Sequence, residues 1–160
     1  MSILRLDETS EQNILNMLQE NKIINAEQIK QIQSVSKEIG KTKLETALDR
    51  ELTNEIEIRN TLSDSYSLPI VELKKYKLNE KLKKIIPFNY IEENSLVPFE
   101  FDNNMLKIAI PDASKLSLMK NIKTITQIDP ELYAASISDI NNFINRIKSS
   151  DPKIADKELK

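Results

Sequence analysis

The sequence predicts an α+β protein: an N-terminal helical repeat of about four short helices, then a small mixed sheet with helices on one face. Three observations lead there. Apolar residues recur at helical spacing up to about residue 66, and the pattern repeats itself at an offset of 29 positions, as from Asn25 to Asn54. From Val97 to Ile110 the period changes to two, which is strand periodicity. A composition of 39% hydrophobic and 30% charged residues suits a globular chain of this kind.

Residues 1–8 read as a loose end. Thr9-Ser10-Glu11-Gln12 has capping-box form, a hydroxyl at the cap and Gln three residues on, and Ile14, Met17 and Leu18 follow at helical spacing. Asn25 opens a second helix carrying Ile29, Ile32 and Val35, with Gly40 at its end. A third helix fits Thr42–Arg50, with Leu44, Ala47 and Leu48 inward, and Asn54 caps a fourth with Ile58 and Leu62. At the shared offset Leu15 matches Leu44, Leu18 matches Ala47, Ile23 matches Leu52 and Ile29 matches Ile58. Each copy is helix, tight turn, helix. Helices this short do not bury an apolar face alone, so the two copies are expected to pack together.

Leu68–Leu73 is an apolar run suited to a short strand, with Pro69 marking its start or an edge. Residues 79–86 read as a helix. Val97, Phe99 and Phe101 alternate with Pro98, Glu100 and Asp102, Leu106, Ile108 and Ile110 alternate with Lys107 and Ala109, and Asp102-Asn103-Asn104 joins them as a hairpin. Asp112 is expected to cap a helix through about Thr126, with Leu116, Met119 and Ile122 inward. Glu131–Ala135 reads as a strand, and a last helix places Ile137, Ile140, Ile144 and Ile147 on one face. The division expected is 1–66 helical, 67–148 α+β, and 149–160 a polar tail or linker.

Composition excludes several chemistries. The 160 residues contain no Cys and no His, which removes thiol nucleophiles, thiolate metal sites and the usual base near neutral pH. The single glycine, Gly40, rules out a phosphate-cradling loop or dinucleotide fingerprint within these residues. These shortages point away from an enzyme, and nothing here asks for a metal or a cofactor. A net charge of −2 argues against general nucleic-acid binding. No apolar run approaches the length of a membrane span. Glu92-Glu93 reads as an exposed loop pair, not an acid–base couple.

The order Leu68-Pro69-Ile70-Val71-Glu72-Leu73, then Ile86-Pro87, the hairpin Leu96-Val97-Pro98-Phe99 to Leu106-Lys107-Ile108-Ala109-Ile110, and Pro111-Asp112 before a helix resembles a known family. It is similar to the N-terminal, or MshEN, domain of assembly ATPases in type II secretion and type IV pilus systems, the GspE/PilB family. The resemblance covers about residues 12–148. It implies a module, either an excised domain or a stand-alone relative, that docks the cytoplasmic part of an inner-membrane platform protein and does no chemistry itself. It also implies a location in the cytoplasm, peripheral to the inner membrane through that partner.

Some members of that family bind cyclic di-GMP through two tandem motifs, each with an arginine, two glycines and a late glutamine. By the resemblance those positions here are Asn13, Leu15, Lys22 and Ser36 in the first copy, and Thr42, Leu44, Glu51 and Ser65 in the second. All eight depart from the pattern. A charge-assisted bond to phosphate is worth roughly 1.5–3 kcal/mol, about 10–150-fold in affinity, so losing both arginines argues against a nucleotide receptor. The lysines at 74, 75, 77 and 81, with Lys83 and Lys84, form a local basic cluster. Two readings stand: a contact for an acidic partner or an anionic leaflet, or a solvated face whose stems cover apolar surface.

Overall fold

The computed structural model describes residues 6–78 and 80–150. Its N-terminal part holds four helices: α1 Glu8–Glu20, α2 Ala26–Ile39, α3 Lys43–Asp49 and α4 Glu55–Tyr66. Asn25 caps α2 with a full capping box: its side chain accepts from Gln28 N–H, while Gln28 reaches back to the Asn25 N–H. Thr42 and Glu45 do the same for α3. Asn54 caps α4. Gly40 closes α2 at φ 70°, the left-handed conformation that a Cβ disfavours. The cap of α1 is Asp7, not Thr9. The Asp7 carboxylate accepts from Ser10 N–H at 2.7 Å, so the helix begins earlier than the Thr9 box predicts.

The second part is built on three strands, β1 Val97–Asp102, β2 Met105–Ile110 and β3 Pro130–Ala134, in the order β1-β2-β3. The β1–β2 pair is antiparallel, with Asn103 and Asn104 at φ 49° and 61° supplying the two left-handed residues of a tight hairpin. The β2–β3 pair is parallel, so the sheet is mixed. Its crossover begins at Asp112, whose carboxylate accepts from Ser114 N–H at 2.9 Å. The expected helix there splits. Ala113–Leu118 is a 3-10 segment and α7 runs Met119–Thr126, which turns Met119 outward at 37% exposure.

Further departures have physical causes. Leu68–Leu73 makes only one parallel bridge, Ile70 with Ala134, before a 3-10 turn at Leu73–Lys75. Pro69 offers β3 a carbonyl but no N–H, so the ladder does not extend. Helix α5 covers Glu80–Ile85, and a helix that the sequence reading lacks, α6, covers Phe88–Asn94. Glu92 and Glu93 therefore lie on a helix, and Glu92 pairs with Lys148 at 3.1 Å. Helix α8 runs Ile137–Ser150, past the expected boundary at 149, and residues 151–160 of the expected tail lie outside the described residues, as do residues 1–5 of the expected loose end.

Apolar side chains gather in two clusters. One holds Ile14, Leu15, Leu18, Ile24, Ile32, Leu44, Ala47, Ile58 and Leu62 with Ala134 and Ile137. The other holds the sheet's Phe99, Leu106, Ile108 and Ile110 against Ile140, Phe143, Ile144 and Ile147 of α8. Polar bonds cross between the two parts. Ala113 N–H donates to Asn13 Oδ1 at 3.2 Å, and Ser138 donates through both N–H and hydroxyl to Glu55, each at 2.6 Å. Lys115, 5% exposed, reaches Asp7 at 3.4 Å. Burial opposes ionisation of Asp7, but the Ser10 N–H and the Lys115 ammonium outweigh it and hold its carboxyl below the ordinary range. Among the described residues no helix is long and apolar enough to cross a membrane.

Candidate functional site

The internal repeat is a repeat of backbone as well as of sequence. Asn21 N–H donates to Met17 and Lys22 N–H to Gln19, while 29 positions on Arg50 N–H donates to Thr46 and Glu51 N–H to Leu48. Ile23 N–H returns to Leu18 and Leu52 N–H to Ala47, which completes the same helix-ending motif in both copies. Its left-handed residue is Lys22 at φ 61° in one copy and Glu51 at φ 57° in the other. By the resemblance these positions fall at the second glycine of the family motif, and a left-handed turn favours a residue without a Cβ.

Four of the eight positions matched by resemblance to a nucleotide motif line one groove. Asn13, Leu15, Ser36 and Thr42 border a groove of about 770 Å³ together with Glu8, Glu11 and Lys43. Lys22, Leu44, Glu51 and Ser65 do not line it. Several of the groups inside are already engaged. Asn13 holds the Ala113 N–H. The Ser36 hydroxyl donates to Gln33 O at 3.1 Å. Leu44 N–H, in the first turn of α3, donates to Glu11 Oε1 at 3.3 Å, and the Thr42 hydroxyl bonds the same carboxylate. Burial pushes the Glu11 carboxyl up, more than those two bonds lower it, and Glu45 and Glu8 push the same way. Two carboxylates therefore face this groove, and of its lysines Lys41 is paired with Asp49. A doubly anionic ligand meets no excess of positive charge here.

The four candidate partner-binding lysines are all exposed and are spread over three stretches of chain. Lys74 and Lys75 sit on the 3-10 turn, Lys77 on the strap after it and Lys81 on α5. Lys75 pairs with Glu72 at 3.1 Å. Lys74 borders a second groove of about 970 Å³ at the junction of the two parts, where Glu51, Glu55, Glu72 and Asp139 are its neighbours. Sequence reasoning missed Glu11, Glu55 and Asp139. Each of the first two acts across a long stretch of chain, Glu11 on Leu44 and Glu55 on Ser138, so no local spacing announces them. Only Ser136-x-x-Asp139, a box-like helix start, marks the third.

A family model described as the MshEN domain matches residues 66–153, more than half of the chain. The type IV pilus assembly ATPase PilB of Myxococcus xanthus is 26% identical over 131 residues, 81% of this chain and 23% of that protein. PilB of Thermus thermophilus is 24% identical over 104 residues, 64% of this chain and 12% of that protein. The chain thus spans less than a quarter of the length of these curated relatives. Among solved structures, MshE with cdg superposes with a TM-score of 0.61 at 18% identity, covering 84% of this chain and 97% of the other. The N-terminal domain of XpsE gives 0.61 at 17% identity, covering 88% and 98%. At such identity the likeness is one of fold, and it extends over the helical repeat that the family model leaves out.

Proposed function

The chain belongs to the MshEN family, the N-terminal domain of PilB/GspE-type assembly ATPases, and from that premise we propose that it is a non-catalytic docking and regulatory module. Its partner would be the cytoplasmic part of an inner-membrane platform protein. The module would pass position or force to a motor and work in the cytoplasm, at the membrane only through that partner. We read residues 1–66 and 67–148 as two subdomains of this one device. The observation that carries the reading is the state of the nucleotide-type groove: Asn13 is spent on Ala113, and the first turn of α3 holds the chain's own Glu11 carboxylate. A groove in which Asn13, Ser36, Thr42 and Glu11 are engaged from within favours a protein-facing role over a nucleotide receptor.

One observation favours a second reading. A structural neighbour, MshE, was solved with cdg, cyclic di-GMP, and the 770 Å³ groove here does gather Asn13, Leu15, Ser36 and Thr42. Titration calorimetry with cyclic di-GMP separates the two. No heat at low micromolar ligand is expected, and a saturable heat there would put the receptor reading first. The docking reading has its own test. Charge reversal at Lys74, Lys75 and Lys77 together should weaken capture of the platform protein's cytoplasmic part at low salt. Unchanged capture would move the interface off the lysines, and no capture by the unaltered chain would remove the docking reading itself.

A further inference from the structure

The junction groove carries an unassigned feature. It is lined from one side by Leu48, Glu51, Glu55, Ile56 and Arg59 of the second repeat, and from the other by Glu72, Lys74 and Asp139. Glu55 is spent on Ser138 and Glu72 on Lys75. Asp139 is different. It is 8% exposed, its own N–H donates to Ser136 Oγ, and among the described residues its carboxylate accepts no hydrogen bond and pairs with no cation. That carboxylate lines the groove, where a cation from outside can reach it. Beside it, Ile56 leaves half of its surface in solvent at 50% exposure, on the first turn of α4.

We propose that this groove binds a protein partner through a short segment that alternates basic and apolar side chains, an arginine or lysine reaching Asp139 with Glu51 as a second acceptor, and an apolar side chain covering Ile56 and Leu48. With Glu72 paired to Lys75, the carboxylates of Glu51, Glu55 and Asp139 still outnumber Arg59 and Lys74, which gives the groove the sign such a segment needs. Asp139 supplies a carboxylate on the groove wall, and a charge-assisted bond from a guanidinium to it is stronger than a neutral one. The first repeat lacks all of this on an identical turn backbone. Where the second copy has Glu51, Thr53, Glu55 and Ile56, the first has Lys22, Ile24, Ala26 and Glu27. The acidic and apolar character is therefore a property of these side chains and not of the turn.

The inference rests on the docking reading but names the junction groove, which takes in Lys74 and not Lys75, Lys77 or Lys81. The 160-residue chain, labelled for amide NMR, is titrated with a short acetylated peptide alternating leucine and arginine, and with its leucine–glutamate counterpart. Saturable shifts centred on Glu51, Ile56 and Asp139 are expected with the arginine peptide alone, weakening as salt is raised. Asp139→Asn should weaken that binding by roughly 10-fold or more. Asp139 opens a helix, so a second variant guards against misfolding: Glu51→Gly removes a carboxylate while relieving a left-handed backbone. It should bind several-fold more weakly with undiminished stability. Absent shifts, equal shifts with the glutamate peptide, or shifts centred on Lys75, Lys77 and Lys81 would overturn the proposal. None of those results touches capture of the platform protein, which tests the docking reading separately.

Discussion

At the turn of the first repeat stands Lys22 and at the turn of the second Glu51, and both hold the same left-handed backbone inside the same set of hydrogen bonds. Asn25 and Asn54 cap the following helices alike. The copies part company in their side chains. Leu18 fills the first, and its mate is the much smaller Ala47. The first copy has Ala26 where the second has Glu55, which reaches Ser138 on α8. Helix α1 also carries an extra stretch, Glu8–Asn13, that α3 lacks, and from it Glu11 crosses to Leu44. Capping and turn chemistry preserve a backbone through such divergence, so the differences between copies show where each has been fitted to its surroundings.

The largest test of that comparison is volume. Leu18 is fully buried, so Leu18→Ala should cost about 2–5 kcal/mol in urea unfolding. The reverse change in the second copy, Ala47→Leu, should also destabilise, by about 1–3 kcal/mol, because its site is already closed around a methyl group. If both changes were mild, the two cores would be interchangeable and the divergence neutral.

Next in size is the bridge between the two parts. Glu55→Ala removes the acceptor for two Ser138 donors and should cost roughly 1.5–3 kcal/mol. The matched change Ala26→Glu, on an exposed position, should stay within about 0.5 kcal/mol of the parent. Equal effects on thermal unfolding would mean that the bridge contributes nothing beyond helix charge.

What the sequence disclosed follows the range of each interaction. Asn25 with Gln28 and Thr42 with Glu45 are three residues apart, so their boxes can be read from spacing, and the Asn103-Asn104 turn can be read from its residue types. The offset repeat showed because it recurs. The groove did not, since it depends on Asn13 meeting Ala113 and on Glu11 meeting Leu44 across the fold. Helix α6 is seven residues, too short to display a period, and the run at 68–73 has strand composition but only one pairing partner in reach. Of the eight positions that the resemblance matches to a nucleotide motif, half line the groove.

Glu11 gives a pH test of the asymmetry. Burial raises its carboxyl above the ordinary 4.5, so the folded state holds this proton more tightly than the unfolded chain does. Its contribution to stability is complete below about 4.5 and is lost as pH rises through the raised value. Asp7, held below its ordinary 3.8, works in the opposite sense: its contribution is present above that value and lost as pH falls. The difference in unfolding free energy between the parent and Glu11→Gln isolates the first effect. It should decline from acid toward neutral pH and then level off. A flat difference across that range would mean that Glu11 is solvated and that the groove is open to an outside anion.

The smallest effect is the most direct comparison of the two turns. A non-glycine residue in the left-handed region costs roughly 1–2 kcal/mol, and glycine gives back part of that relief through the greater freedom of the unfolded chain. Lys22→Gly and Glu51→Gly should therefore each raise stability by about 0.5–1 kcal/mol, by similar amounts, because φ is 61° at one and 57° at the other. The control is alanine, which keeps the strain and should leave either turn near the parent. If Glu51→Gly stabilised markedly less than Lys22→Gly, the carboxylate would be stabilising the junction groove in the free protein. The groove would then be satisfied from within, as the other groove is, and would have less to offer a basic partner.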